Sequence, residues 1–153
     1  MNPPIRSDIH RDACVEGLVD GTIDAVVTDH APHEWEEKDQ EFNLAPSGFV
    51  GLETSVGAML THLYHTGIID LMTMVNVMST AQAKILGLDA GVIAPGKDAD
   101  LTILDLDKEW TVDSSKFYSK GKSTPFDEMI FKGKAAATIV NGKFVMKKRG
   151  RFL

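Results

Sequence analysis

Ile23-Asp24-Ala25-Val26-Val27-Thr28, followed at once by Asp29-His30-Ala31-Pro32-His33, is the stretch on which the fold class turns. The first six residues read as a buried strand. The next five put a carboxylate and two imidazoles where that strand gives way to a loop. In α/β folds the carboxyl ends of parallel strands are where catalytic groups and metal ligands collect. Asp and His both bind metals, and either can carry protons in a suitable environment.

Upstream, Asp8 to Asp20 reads as a helix, with Ser7 as its cap, Asp8 at its positive end and Gly21 as its stop. Cys14 falls inside this pattern and reads as a small buried hydrophobe. A helix, a short turn and a strand in that order belong to alternating α/β architecture. Downstream, residues 34–47 form a polar loop carrying Glu34, Glu36, Glu37, Asp39 and Glu41. A connection of about fourteen residues is long enough to be a lid or a disordered segment, and Trp35 and Phe42 favour a loop that packs onto something. Leu52, Val56, Met59, Leu60 and Leu63 recur at helical spacing, and Gly67 ends that helix. Asp70 caps a further helix through about Met78, and Thr80 caps another ending at Gly87. The methionines between Met59 and Met78 read as core filling.

From Gly91 the pattern changes. Ala99–Asp105 reads as a strand after the Pro95-Gly96 turn. Ala136–Met146 reads as a hairpin, with Asn141-Gly142 supplying the positive-φ pair of a type I′ turn. An α/β segment over residues 1–88 is thus followed by a β-rich segment over residues 89–153.

The chain has 153 residues, 43% of them hydrophobic, and a formal charge of −6 from 16 basic and 22 acidic side chains. That balance argues against a nucleic-acid surface, and the basic run Lys147-Lys148-Arg149-Gly150-Arg151 reads as a solvated tail. One cysteine excludes an intrachain disulfide framework and a cysteine-rich zinc site. No apolar stretch approaches the ~20 residues of a membrane span, and residues 1–6 carry no apolar signal core. The expectation is a cytoplasmic protein.

On position alone, Asp29 binds a metal, acts as a base, or caps the next turn. His33, four residues on, can be aimed by the loop into the same cavity. His30 points elsewhere and reads as a structural hydrogen-bonding residue. His62 and His65 lack the intervening glutamate of a zinc-protease helix and read as an exposed helix end, while His10 lies on a surface helix. No phosphate-cradling glycine loop and no nucleophile elbow is present, which leaves metal-assisted hydrolysis as the better reaction class.

Several stretches then resemble one family. Asn2-Pro3-Pro4-Ile5-Arg6, Asp20-Gly21-Thr22-Ile23-Asp24, Thr28-Asp29-His30-Ala31-Pro32-His33 and Gly51-Leu52-Glu53-Thr54 are similar to the last third of dihydroorotases of the class I bacterial type. Thr124-Pro125-Phe126 and Thr138–Lys143 fit as well. Gly91–Thr102 resembles a strand signature shared across the amidohydrolase superfamily, hydantoinases and allantoinases included. The resemblance implies an α/β fold: the C-terminal portion of a (β/α)8 metal-dependent hydrolase barrel in residues 1–88, then part of a small β-sandwich in residues 89–153.

It implies a zinc-dependent hydrolase that interconverts N-carbamoyl-L-aspartate and L-dihydroorotate in pyrimidine biosynthesis, with one or two Zn2+ in the complete enzyme. By the same carry-over, Asp29 is both metal ligand and general acid/base. Asn2 and His33 hold the substrate, and the backbone of Ser47 and Gly48 contacts its ring; the family usually has Phe where Ser47 stands. The His-x-His pair, its following Arg, the later histidines and the other carboxylate ligand are not in this sequence. A whole barrel needs about 250 residues or more. The expected partners are the missing N-terminal barrel portion or a second copy, besides the small-molecule substrate, with no nucleic acid and no membrane. Two rival readings are a non-catalytic assembly module, like the inactive dihydroorotase-like partners of a transcarbamoylase, and a hydantoinase- or allantoinase-type cyclic amidase.

Overall fold

The computed structural model describes residues 2–4 and 6–147. Met1, Ile5 and most of the basic run (Lys148 onward) lie outside the described residues. Helix α1 (Asp8–Asp20) ends at Gly21, whose φ of 82° is the left-handed stop expected of it. Ser7 caps α1 with its main-chain carbonyl, which accepts from the amides of His10 and Arg11, while its hydroxyl lies 3.1 Å from His10 Nδ1. Cys14 is exposed, contrary to the sequence reading, because α1 buries only Gly17. There the contact is close: a Cβ on Gly17 would stand 3.1 Å from Ile23 Cδ1.

The stretch Ile23–Thr28 corrects a second expectation, for it forms no ladder. A strand exists only through hydrogen-bonded neighbours, and the described residues supply none for it. The Val26 amide donates instead to Val77 O (3.0 Å), and the Gln82 side chain donates to the carbonyls of Val26 and Val77.

Two helical runs pack across this stretch. Helix α3 (Ser55–Met59) passes straight into a π-helical turn, Leu60–Tyr64, and Gly67 (φ 75°) closes the run. Helix α4 (Leu71–Val75), a π turn at Asn76–Thr80 and α5 (Ala81–Ile85) are likewise continuous. Asp70 caps α4 as its sequence position suggests, accepting from the Thr73 amide at 2.7 Å. Thr80 does not cap a new helix. It is helical (φ −63°), and its hydroxyl donates to Gly91 O at 2.8 Å.

Strands β1 (Leu101–Thr111), β2 (Ile130–Val140) and β3 (Lys143–Lys147) form an antiparallel sheet in that order. The β2–β3 turn is the anticipated two-residue one, with φ of 49° at Asn141 and 74° at Gly142. The sheet and the helices share their cores. Met59, Leu60, Ile69, Met74 and Val77 form one cluster, against which Leu104 and Leu106 of β1 pack. Val50, Val112, Phe117 and Phe131 form the other. Gly57 lets α3 lie flat on the sheet, since a Cβ there would stand 2.7 Å from Phe131 Cδ2 and 2.9 Å from Trp110 Cζ2. His62 stacks edge-on against Phe131, and His65 bonds Leu106 O at 2.9 Å, so both histidines work in the helix–sheet junction.

Beside these cores a cavity of about 550 Å³ runs between the second helical run and β1, lined by Met74, Met78, Val92, Leu101 and Leu104 among others. Of the methionines expected in the core, Met59 and Met74 are buried and Met72 is exposed. No helix among the described residues is long and apolar enough to cross a membrane.

Candidate functional site

The site is built on the turn from Asp29 to His33 and on the strip from Ser47 to Leu52 beside it. Backbone bonds join the two: His30 and Phe49 form an isolated parallel bridge, and the Ala31 amide donates to Phe49 O at 3.0 Å. His30 adds a side-chain tie. Its Nδ1 faces the amides of Gly51 (3.1 Å) and Leu52 (3.4 Å). Backbone amides only donate, so Nδ1 is the acceptor and the ring proton sits on Nε2.

His33 stands opposite. Its Nε2 donates to Ser47 O at 3.0 Å, and its Nδ1 lies 3.2 Å from Glu37 Oε2. Both neighbours are acceptors, and the imidazolium form donates to both. The side chain retains 28% of its exposure, so the ring is held yet reachable. Gly48 meets it edge to edge. At φ 125° a Cβ on Gly48 would stand 2.7 Å from Ala31 Cβ and 3.4 Å from His33 Nε2, so both the conformation and the space require glycine. His33, Ser47 and Gly48 are therefore brought together.

Asp29 sits at the mouth of this turn with its side chain exposed and φ at 44°, a left-handed conformation that costs a non-glycine residue energy. Asn2 is exposed, and among the described residues no hydrogen bond joins it to Asp29, His33, Ser47 or Gly48. A zinc site needs three or four donors. The described residues hold no group of three or more His, Cys, Asp or Glu side chains able to bind a metal ion. Asp29 alone does not fit zinc.

Four contributors escape a reading of the sequence. Glu37 is one turn of spacing from His33, a signal that was available. Lys38 is the second: its Nζ donates to Pro46 O and Gly48 O, both at 2.9 Å, closing the base of the acidic loop. Helix α2 (Trp35–Lys38) opens this loop, and Trp35 and Phe42 are 72% and 100% exposed, so they do not pack onto the described chain. The third and fourth come from the β-rich segment. Gly121 lies against Pro32 and His33, and Ser123 O accepts from the Val50 amide at 2.9 Å. Glu53 fastens the same segment by accepting from the Ser119 amide at 3.1 Å.

The sequence model of the Amidohydrolase family matches residues 5–145. The chain belongs to that family. Among curated relatives, it is 49% identical over 149 residues to a dihydroorotase from Pelotomaculum thermopropionicum, covering 97% of this chain and 35% of that protein. It is 50% identical over 148 residues to a dihydroorotase from Geobacter metallireducens, with the same two coverages. Among solved structures, an L-hydantoinase from Arthrobacter aurescens superimposes with a TM-score of 0.90 at 38% identity, over 99% of this chain and 35% of that one. A dihydropyrimidinase from Brevibacillus agri gives 0.88 at 26% identity, over 95% and 33%. This amidohydrolase chain thus spans about a third of the length of the relatives it matches, and its fold is that of the family over that third.

Proposed function

We propose that the chain supplies the substrate-side wall and the proton-handling carboxylate of a dihydroorotase-type cyclic amide hydrolase. The observation that carries this reading is the meeting of His33, Ser47 and Gly48 at one imidazole, with Nε2 3.0 Å from Ser47 O. In the reaction, water adds to the ring amide carbonyl of dihydroorotate and the carbon–nitrogen bond breaks, giving N-carbamoyl aspartate; the reverse closes the ring with loss of water. Asp29 takes the proton from the attacking oxygen and returns it to the departing ring nitrogen. Asn2 and the His33 side chain hold the substrate carboxylate and ring polar groups, and the Ser47–Gly48 backbone lines the ring.

In this reading residues 1–88 are the last strands and helices of a (β/α)8 barrel, and residues 89–153 are part of a β-sandwich. Three features support the need for more chain. Among the described residues the run Ile23–Thr28 lacks strand partners, β1 is an edge strand, and the cavity beside it opens Met74, Val92 and Leu104 alongside Asp89, Lys97 and Asp98. The zinc that the resemblance implies needs further donors, and they come from the remaining barrel or from a second copy. The protein acts in the cytoplasm on a small molecule and binds neither nucleic acid nor membrane.

The L-hydantoinase likeness favours a second reading, activity on five-membered cyclic amides. The test assays the chain alone, and mixed with a polypeptide covering the other two-thirds of a dihydroorotase relative, on L-dihydroorotate, hydantoin and allantoin, with zinc content measured. The expected result is dihydroorotate turnover in the mixture only, abolished by Asp29→Asn. Full activity of the isolated chain with stoichiometric zinc would overturn the need for a partner. Preference for hydantoin or allantoin would replace the substrate.

A further inference from the structure

Helix α2 is a single turn, too short to persist by its own hydrogen bonds. Two consecutive side chains hold it. Glu37 reaches back to His33 Nδ1, and Lys38 reaches forward to the carbonyls of Pro46 and Gly48. The choice of partner by Lys38 is informative. Its own loop carries Glu34, Glu36, Glu37, Asp39 and Glu41, yet its part-buried ammonium takes two main-chain carbonyls instead of any of these carboxylates. Removing a cation from water toward neutral acceptors is unfavourable unless the geometry gained repays it, and here the gain is closure of a loop at its base.

Both ends of that closure fall on the candidate site. Glu37 grips one nitrogen of the His33 ring while Ser47 O takes the other, so the ring cannot turn about either contact without losing a hydrogen bond. Lys38 grips Gly48 O, and a Cβ on Gly48 would lie 3.4 Å from the same ring. The ring and the backbone strip beside it are each tied to neighbouring residues of one helical turn.

We propose that Glu37 and Lys38 are positioning residues: Glu37 orients the His33 imidazole, and Lys38 sets the Ser47–Gly48 backbone at a fixed distance from it. This rests on the reading that His33, Ser47 and Gly48 form the substrate wall for an anionic cyclic amide. Neither residue touches the reacting atoms. Each acts through the group it holds, as outer-shell partners do elsewhere.

The experiment records imidazole nitrogen and backbone amide NMR spectra of the full chain for wild type, Glu37→Gln, Lys38→Met, Lys38→Arg and the control Glu36→Gln. Glu36 sits on the same turn and makes no side-chain bond to His33 among the described residues. Glu37→Gln is expected to move the His33 Nδ1 resonance. Lys38→Met should move the Gly48 amide and His33 Nε2, Lys38→Arg should restore them, and Glu36→Gln should leave both sites as in wild type. If Glu37→Gln and Lys38→Met give His33 and Gly48 signals like those of Glu36→Gln, positioning is overturned, and Glu37→Gln decides this even if Lys38→Met fails to fold.

A second arm titrates L-dihydroorotate into wild type and variants. Weakening of about ten-fold in Glu37→Gln and Lys38→Met supports the proposal. Unchanged affinity in variants whose spectra have moved overturns it. Absence of binding to wild type sinks the substrate reading alone, and the ring spectra then decide the positioning roles by themselves.

Discussion

A methyl group placed on Gly121 would stand 3.0 Å from the His33 carbonyl oxygen, because the β-rich segment lies directly on the backbone of the candidate site. It would also stand 2.9 Å from Pro32 Cβ. Gly121→Ala is therefore expected to cost about 1–3 kcal/mol through overpacking. It should also shift the His33 ring resonances, which an alanine tolerated by local adjustment at residue 121 would not. Urea unfolding and the imidazole spectrum check the two halves together.

The second prediction concerns Phe131, which is fully buried and meets Trp110, Phe126 and His62 in edge-to-face contacts with centroids 5.4–5.7 Å apart. Phe131→Ala should cost about 3–5 kcal/mol, and Phe131→Leu clearly less, in denaturant titrations. Both should weaken the near-ultraviolet signal of Trp110. A small loss for the alanine variant would mean that the helix–sheet junction is not where stability resides.

Asp29 provides the third, through its φ of 44°. Asp29→Gly should match or exceed wild-type stability, Asp29→Asn should be close to neutral, and Asp29→Val should cost about 1–3 kcal/mol. Thermal melts of the three variants test the order. If glycine is the least stable of them, the left-handed conformation is not the source of strain.

Acid sensitivity supplies the fourth. The Asp70 carboxylate is held below the usual aspartate range, chiefly by the backbone hydrogen bond from Thr73. A carboxyl whose affinity for protons is lowered by folding stabilises the fold while ionised, above about pH 4, and that contribution is lost as pH falls through its lower folded value. Asp70→Asn keeps a capping oxygen but cannot titrate. Its stability should fall less steeply with acid than that of wild type, in melts run from pH 6 to pH 2.

Much of the local architecture was legible in the sequence, for reasons that differ by element. The hairpin followed from Asn141-Gly142, since few dipeptides accept positive φ twice in succession. The run beginning near Leu52 followed from its apolar spacing, and the cap at Asp70 from its side chain. The break at Thr80 was misread because its hydroxyl looked like a cap, whereas a residue distant in sequence, Gly91, provides its acceptor. Cys14 was misplaced because a helical apolar pattern says which face is apolar, not whether anything covers it. The ladder expected at Ile23–Thr28 needs partners that a single stretch cannot announce.

Within the site, the nearness of His33 to Asp29 in sequence was readable, and Glu37 was within reach of the same logic. The grip of Lys38 on Gly48, and the pressure of Gly121 on His33, depend on loop closures with no periodic signature. The residue positions were written in the motif, while the distances between them were set by segments that share no pattern with it.

The bond from the Val50 amide to Ser123 O and the close pass of Gly121 over His33 have a consequence in time as well as in space. A ribosome that has made the whole Asp29–His33 motif and the Ser47–Gly48 strip still has more than seventy residues to add before Gly121 and Ser123 exist. Contacts between residues so far apart along a chain are slow to close. The candidate site is thus assembled in two stages: its chemical groups emerge first, and its shape is conferred by a segment made more than seventy residues later.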